Sequence, residues 1–212
     1  MRRLKILIAD DHNMFAEMSK SLLARRYDVV GTVTDGLALV AAARQLQPDI
    51  VVLDIGMPHL NGLDAAAQIK RAMPAIKLIF LTMNLDPYLV RQALRIGASG
   101  FLLKQGTTEE LSEAIEKVAS GGSYLTATAA RALDGLSELD PTNRDSRREP
   151  TARQREVIQL LAEGQSMKQV ADTLNITART VAAHKYAAME LLQIKSSAEL
   201  VQYALKSGMI YS

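Results

Sequence analysis

Five polar residues that could handle a metal ion or a phosphoryl group each follow a short apolar run of the chain. They are Asp10, Asp11, Asp54, Thr82 and Lys104. Three carboxylates held close together repel one another and need a cation, and oxygen ligands suit a hard ion such as Mg²⁺. A bound Mg²⁺ would also relieve the repulsion between the Asp54 carboxylate and an incoming phosphoryl group. Asp54 could then accept that group, with Lys104 and the Thr82 hydroxyl contacting phosphoryl oxygens.

The elements before these residues must bring them together. The first 125 residues alternate apolar runs with amphipathic stretches, which predicts strands buried on both faces alternating with helices. The predicted strands are residues 4–9, 29–33, 50–53, 78–81 and 100–103, and the predicted helices are residues 14–25, 37–47, 62–73, 87–96 and 108–120. This order favours an α/β, flavodoxin-like, doubly wound five-stranded parallel sheet with strand order 2-1-3-4-5. In that order the polar strand ends meet where the winding direction reverses, which is where such sheets bind ligands.

Each of the five residues also has an ordinary structural interpretation. An Asp after a strand commonly caps a turn, a Thr at a strand end commonly belongs to the strand, and a lone Lys is commonly solvated. Asp10 and Asp11 could merely start the helix that follows. It is the agreement of all the strand ends that favours a site over these separate interpretations.

Composition narrows the class of protein without naming a partner. The 212 residues carry a formal net charge of +2 and contain no cysteine. Without cysteine there are no disulfides and no thiolate metal sites, which suits a cytoplasmic protein. We find no apolar run of the roughly 18 residues that a transmembrane helix requires.

The chain changes character after Gly121 and Gly122. Residues 140–150 are polar, charged and bracketed by prolines, which is typical of a linker. We predict a first domain over residues 1–125, a linker with a short helix over 126–149, and a second, all-α four-helix domain over 150–212. The predicted helices of the second domain are residues 152–162, 166–174, 178–192 and 197–207.

The middle two of these helices have the spacing of a helix-turn-helix. A short helix ends near Asn175 and a longer one begins after Thr177, which is a good N-cap residue. In this motif the second helix lies in the major groove of DNA and presents its N-terminal residues to the bases. Four-helix modules also bind proteins, and the last 63 residues hold seven Lys and Arg against five Asp and Glu, so charge alone does not decide between the two.

The first domain resembles the receiver domain of bacterial two-component response regulators. The resemblance rests on the segments ILIADDHNMF, VVLDIGMPHLNGLD, LIFLTMN and GASGFLLK and covers about residues 4–122. It implies that Asp54 is the phosphoacceptor, that Asp11, Asp54 and the Gly56 carbonyl bind Mg²⁺, and that Asp10 assists through water. It also implies that Thr82, Lys104 and Phe101 form the switch, although Phe101 is equally well explained as a core residue. Gln105 departs from the family, which often has proline there, and leaves the geometry of that peptide bond open.

The second domain resembles the DNA-binding domain of the LuxR/NarL/FixJ class over about residues 150–210. The resemblance rests on Arg155-Glu156-Val157, Gly164, Ser166, Ala171, Thr180-Val181, His184 and Ser197. The implied DNA-binding residues are Lys168, Thr177, Arg179, Thr180, Ala182, Ala183, His184, Lys185 and Tyr186. His184 and Tyr186 are equally well explained as packing residues. The class usually has basic residues where this chain has Ala182 and Leu191, and each lost phosphate contact weakens DNA binding.

Two functions follow from this organisation. The first is a cytoplasmic transcription regulator that receives a phosphoryl group from a sensor histidine kinase and binds double-stranded DNA as a homodimer. It would be no enzyme, apart from its own phosphorylation and dephosphorylation. The second is a receiver whose helical domain binds protein or serves as a phosphate sink. A flavin- or nucleotide-dependent enzyme is disfavoured, since the chain has neither a G-x-G-x-x-G motif nor a P-loop.

Overall fold

A computed structural model describes residues 3–83, 85–134 and 149–210. The chain divides into two compact units. The strands of the first unit are β1 Lys5–Ala9, β2 Asp28–Val33, β3 Ile50–Asp54, β4 Lys77–Thr82, β5 Gly100–Leu103 and β6 Tyr124–Leu125. Its helices are α1 Asn13–Leu23, α2 Gly36–Leu46, α3 Gly62–Ala72, α4 Pro87–Ile96, α5 Thr108–Ala119 and α6 Ala127–Asp134. The helices of the second unit are α7 Ala152–Ala162, α8 Met167–Leu174, α9 Ala178–Leu192 and α10 Ser197–Lys206.

The strands of the first unit form one parallel sheet in the order β2-β1-β3-β4-β5-β6. The predicted doubly wound sheet and the order of its first five strands are confirmed. The count of five is corrected to six, because Tyr124 and Leu125 pair with Gly100 and Phe101 of β5. Strand β3 is buried along its whole length and β4 is buried after Lys77, which explains the continuous apolar sequences of these strands.

Side-chain caps fix where several helices begin. Asp35 accepts a hydrogen bond from Ala38 N at 2.7 Å at the start of α2. Thr107 caps α5 by accepting a hydrogen bond from Glu110 N at 3.2 Å. Such caps satisfy backbone N–H groups that have no partner within the helix.

The second unit packs its four helices around two apolar clusters. One joins α7, α8 and the start of α9, and the other joins α7, the end of α9 and α10. Ser166 caps α8 in a reciprocal bond with Gln169, and Asn175 ends α8 in the left-handed conformation with φ 52°. The predicted helices of this unit are confirmed to within one residue at each end.

The segment between the units is described only in part. Helix α6 lies within the predicted linker, at the place where the sequence favours a short helix. Its residue Ala129 is fully buried and Thr126 N donates to Phe101 O at 3.3 Å. The remainder, residues 135–148, lies outside the described residues. Within the described parts of the chain, every helix is too short or too polar to span a bilayer.

Candidate phosphoacceptor pocket and DNA-reading helix

The carboxyl ends of four adjacent strands form one polar pocket. Asp10 follows β1, Asp54 ends β3, Thr82 ends β4 and Lys104 follows β5. The backbone holds the last two strands in register, because Lys104 N donates to Thr82 O at 2.8 Å. Asp10, Asp54 and Thr82 are all buried, whereas Asp11 is exposed at the rim. The structure therefore brings together the residues that the sequence predicts at this site.

Lys104 bridges two of the carboxylates. Its Nζ atom donates to Asp54 Oδ2 at 2.6 Å and to Asp10 Oδ1 at 2.8 Å. The lysine side chain is as buried as its partners, so these ion pairs are shielded from water. The ammonium of Lys104 lies over the ring of Phe15 of α1, with Nζ 5.2 Å from the ring centroid. Sequence reasoning did not single out Phe15, which has no polar group to mark it.

Asp54 is buried but remains hydrogen-bonded. Gly56 N donates to its Oδ1 atom at 3.2 Å, which turns the loop after β3 back over the carboxylate. Burial raises the pKa of the Asp54 carboxyl above its usual range, the Lys104 ammonium lowers it, and the nearby Asp10 raises it further. The pocket thus disfavours the negative charge of Asp54 in spite of the adjacent lysine. The carboxylate oxygens are therefore more basic than those of an exposed aspartate.

Four residues of the pocket could bind a metal ion. One ligand atom from each of Asp10, Asp11, His12 and Asp54 lies within 4.8 Å of all the others. The Oδ2 atom of Asp10 is fully buried and has no hydrogen-bond partner among the described residues. A buried carboxylate oxygen without a partner is costly, and a cation would satisfy it. The donor set therefore fits the predicted divalent ion. Sequence reasoning did not single out His12.

Gly62 packs against the backbone of the predicted phosphoacceptor. A Cβ atom at this position would overlap the carbonyl oxygen of Asp54 and lie 2.9 Å from Ile55 Cα. Gly62 N also donates to Ile55 O at 2.8 Å, so the start of α3 is fastened directly to the end of β3. Only glycine permits this approach. The sequence shows a glycine at a helix start but gives no sign of its close contact.

Phe101 lies in the core of the sheet in this structure. Its ring is fully buried and stacks on Phe80 with centroids 6.4 Å apart. This geometry matches the interpretation of Phe101 as a core residue, and its role in a switch stays a prediction. The described residues contain no cis peptide bond, so the bond before Gln105 is trans.

In the second unit, α8 and α9 form the predicted helix-turn-helix. Thr177 caps α9 by accepting from Thr180 N at 3.2 Å. Val181 and Ala188 are the buried residues of α9. Arg179, Ala183 and Tyr186 are exposed on α9, Thr180, Ala182, His184 and Lys185 are half-buried on it, and Lys168 is exposed on α8.

Tyr186 is a large hydrophobic residue that is exposed on α9. It is 58% exposed, and Lys185 Nζ lies 5.5 Å from its ring centroid. An exposed aromatic ring beside a cation is unusual for a packing residue and common at binding surfaces. The exposure of Tyr186 disagrees with a packing role, and its contact with DNA stays a prediction, while His184, half-buried, fits either interpretation.

Comparison with known families covers both units. Residues 6–116 match the response regulator receiver domain, and residues 151–204 match the bacterial regulatory proteins of the luxR family. The chain belongs to the luxR-type response regulators. Its function is DNA-binding transcription regulation.

Relatives align with this response regulator end to end. The transcriptional regulatory protein MctR of Rhizobium johnstonii is 31% identical over 213 residues, which cover 98% of this chain and 96% of MctR. The oxygen regulatory protein NreC of Staphylococcus carnosus is 33% identical over 215 residues, which cover 98% of this chain and 99% of NreC.

A solved structure of similar fold contains both domains. RcsB from Salmonella enterica serovar Typhimurium, bound to a promoter in the presence of the phosphomimetic BeF₃⁻, superposes with a TM-score of 0.62 at 26% identity. The match covers 98% of the response regulator described here and 99% of the RcsB chain.

Proposed function

We propose that this response regulator accepts a phosphoryl group on Asp54 from a sensor histidine kinase and then binds DNA through α9. The observation that carries the proposal is the position of Asp54: a buried carboxylate at the end of β3, 2.6 Å from Lys104 and beside a second buried carboxylate. Receiver domains bind Mg²⁺ at an acidic pocket, and this chain has such a cluster of acids.

The chemistry proposed for Asp54 is nucleophilic. One carboxylate oxygen forms a bond to phosphorus while the phosphorus–nitrogen bond of a phosphohistidine in the kinase breaks, and the leaving imidazole takes up a proton. Burial raises the pKa of Asp54, which makes its oxygens more basic and so better nucleophiles once ionised. Hydrolysis of the resulting acyl phosphate by water would return the receiver to its resting state.

We assign Mg²⁺ to the acid cluster. Asp11, Asp54 and the Gly56 carbonyl would bind it directly, and Asp10 would assist through a water at its unpartnered oxygen. When bound, the ion neutralises charge that builds up between carboxylate and phosphoryl oxygens. The Lys104 ammonium already donates a hydrogen bond to Asp54, and after phosphorylation it would donate to a phosphoryl oxygen.

Thr82 and Phe101 would couple the pocket to the rest of the unit. Thr82 is buried at the end of β4, next to β5, and its hydroxyl would donate to the phosphoryl group. Phe101 lies three residues before Lys104 on β5. A shift of Lys104 toward a phosphoryl group would therefore act on the strand that holds the Phe101 ring.

The DNA-contacting surface that we propose is the exposed face of α9 with its N-terminus. Arg179 and Lys168 would contact phosphates, Thr177 and Thr180 would contact the backbone at the helix start, and Ala182 and Ala183 would meet thymine methyl groups. His184, Lys185 and Tyr186 complete the set. A homodimer through α10, which exposes Leu205, would match a two-fold DNA site. Binding to the chromosome would place the protein in the bacterial cytoplasm.

The domain boundaries that we propose are 1–125 for the receiver, 126–149 for the linker and 150–212 for the DNA-binding domain. The matches over residues 6–116 and 151–204 support the first and the last of these three segments. Helix α6 supplies the short helix within the linker.

A second candidate is a receiver with a protein-binding output or a phosphate-sink role. The observation in its favour is Ala182, which takes the place of a lysine on the face of α9 that would meet DNA. A gel-shift titration against salt separates the two candidates. DNA binding by a basic surface weakens steeply as salt rises, whereas a protein-binding module shows no such slope.

The decisive experiment combines phosphorylation with selection of DNA. Wild type, Asp54→Ala and the control Asp28→Ala, which removes an exposed carboxylate, are incubated with a small-molecule acyl phosphate and Mg²⁺. Mass spectrometry should show one added phosphoryl group on wild type and on the control, and none on Asp54→Ala. Each protein then selects fragments from random DNA. We expect one enriched two-fold motif for phosphorylated wild type; an unmodified wild type, or a pool without a motif, would count against the proposal.

A further inference from the structure

His12 lies at the start of α1, but its side chain does not cap the helix. It is the N-cap residue of α1, yet its side chain makes no capping hydrogen bond. Residues that cap helices well are Ser, Thr, Asp and Asn, and histidine is not among them. The backbone N–H of His12 donates to Asp10 Oδ1 at 2.9 Å, which is a contact that any residue type other than proline could make. Helix capping therefore does not explain the imidazole.

The imidazole of His12 instead faces the acid pocket. Its Nδ1 atom lies 2.8 Å from Asp11 Oδ1, 3.4 Å from Asp10 Oδ1 and 4.0 Å from Asp54 Oδ2. Since Nδ1 is the ring atom nearest to all three carboxylates, a cation bound among their oxygens would meet a nitrogen lone pair as well. In that state the ring proton would reside on Nε2, which is permitted for a neutral imidazole.

A second observation points to a ligand at the same place. Asp10 is only 1% exposed, its carboxylate belongs to the same four-residue group, and its Oδ2 atom has no partner among the described residues. The Lys104 Nζ atom contacts Asp10 Oδ1, Asp54 Oδ2 and, at 3.4 Å, His12 Nδ1, yet it leaves Asp10 Oδ2 without a partner among the described residues. A buried oxygen in this condition needs a cation or an ordered water.

Nitrogen and oxygen ligands select different ions. Carboxylates, carbonyls and water suit Mg²⁺, whereas imidazole nitrogen suits later first-row ions such as Co²⁺, Ni²⁺ and Zn²⁺. Metal–ligand distances of about 2.0–2.2 Å place opposite ligands roughly 4.2 Å apart, so a spread of 4.8 Å closes around such an ion with small side-chain movements.

We propose that His12 Nδ1 is a metal ligand and that it gives this pocket a selective affinity for nitrogen-preferring divalent ions such as Co²⁺ over Mg²⁺. The inference rests on the proposed metal site and adds to it a fourth side-chain ligand of different chemistry. His12 is exposed at the rim, so an ion can reach it from solvent. The pocket would then bind two classes of divalent ion with different strengths at one place.

The test measures the affinity of each ion with and without the imidazole. Untagged full-length wild type and His12→Gln are titrated by calorimetry with MgCl₂ and, separately, with CoCl₂. We expect His12→Gln to weaken Co²⁺ binding roughly tenfold or more, the range typical of changes to metal-site residues, and to change Mg²⁺ binding by less than about twofold. The visible absorption of bound Co²⁺ should also shift, because a nitrogen ligand has been lost.

The matched control is His184→Gln, the same change at a half-buried histidine of the second unit. It should leave both affinities unchanged. Equal losses for the two ions in His12→Gln, or no loss for either, would overturn the inference. If wild type binds Mg²⁺ and is phosphorylated but its affinity for Co²⁺ is the same in His12→Gln, this inference is refuted and the proposed function stands. If Co²⁺ binding requires His12 but the protein accepts no phosphoryl group, this inference is supported and the proposed function is refuted.

Discussion

The Nζ atom of Lys104 lies 2.6 Å from Oδ2 of Asp54. These residues are 50 positions apart in the chain and meet because β3 and β5 both flank β4 in the sheet. The contact is shielded from water, so the lysine is the principal positive charge that the buried carboxylate meets. Its removal would leave two buried carboxylates, those of Asp54 and Asp10, without their shared cation.

Replacement of Lys104 by methionine should lower the free energy of unfolding by about 3 kcal/mol in EDTA, because breaking a buried ion pair from one side leaves an uncompensated charge. Added Mg²⁺ should restore part of the loss by neutralising the same acids. Urea unfolding with EDTA and with Mg²⁺ measures both effects. The control Lys20→Met removes an exposed pair with Glu17 and should cost less than about 1 kcal/mol. An equal loss with and without Mg²⁺ would argue against a cation site beside Lys104.

Replacement of Asp54 by asparagine should stabilise the metal-free protein at neutral pH. Burial raises the pKa of Asp54 above the unfolded value of 3.8, so between these two pKa values the folded state binds more protons than the unfolded state. The stability of wild type therefore falls as pH rises through that window, and the full cost of the ionised carboxylate is present above it. Asparagine avoids this cost, so we expect Asp54→Asn to have a higher free energy of unfolding than wild type at pH 7.

The gain should shrink as the pH falls through the pKa of Asp54, because wild type is then protonated as well. Unfolding in urea with EDTA at several pH values between 7 and 4.5 tests this dependence. Asp28→Asn, at an exposed carboxylate, should show no such gain. A gain for Asp54→Asn that stays constant at every pH would mean that burial of the charge is not its cause.

Replacement of Gly62 by alanine should lower the free energy of unfolding by about 2–3 kcal/mol. The new Cβ atom would overlap the backbone of Asp54, which cannot move aside as a side chain can. Gly31→Ala is the control, because its nearest neighbours are the side-chain methyl groups of Leu46 and Leu7 at 3.2 and 3.3 Å. Urea unfolding compares the two variants. Similar losses would show that the contact of Gly62 with β3 is not specific.

Replacement of Arg179 by alanine should weaken DNA binding at all sequences and reduce the slope of log affinity against log salt by about one ion. Arg179 is exposed in the first turn of α9, where it would reach a phosphate. Fluorescence anisotropy at several salt concentrations measures affinity and slope together. Arg44→Ala, at an exposed arginine on α2, should change neither. An unchanged slope for Arg179→Ala would remove this residue from the DNA interface.

Most of the fold could be predicted from the sequence because its strands are long enough to show a pattern. Residues 50–53 form a continuous apolar run, as a strand covered on both faces requires, and β3 extends it by one residue. Tyr124 and Leu125 were missed because two residues carry no periodicity. Their pairing with β5 depends on where the sheet edge lies, which only the assembled fold decides.

The sequence predicts which residues form the candidate site but not how they contact one another. The rule that ligands gather at strand ends located Asp10, Asp54 and Lys104. It could not show that Lys104 bridges the two acids, that His12 turns toward them, or that Gly62 touches Asp54, since these contacts depend on side-chain and loop directions. Phe101 illustrates the same limit, because its sequence position fits both a core residue and a switch.

The short strand β6 has a consequence for how the receiver behaves in crowded solution. An open edge strand offers unpaired backbone groups to other chains and can seed aggregation. Here β6 covers the outer edge of β5 and presents only two residues of its own before α6 begins. A neighbouring molecule would find almost no template on that side from which to extend the sheet. Strand β5, which carries Phe101 and leads to Lys104, is thereby prevented from pairing with a strand of another molecule.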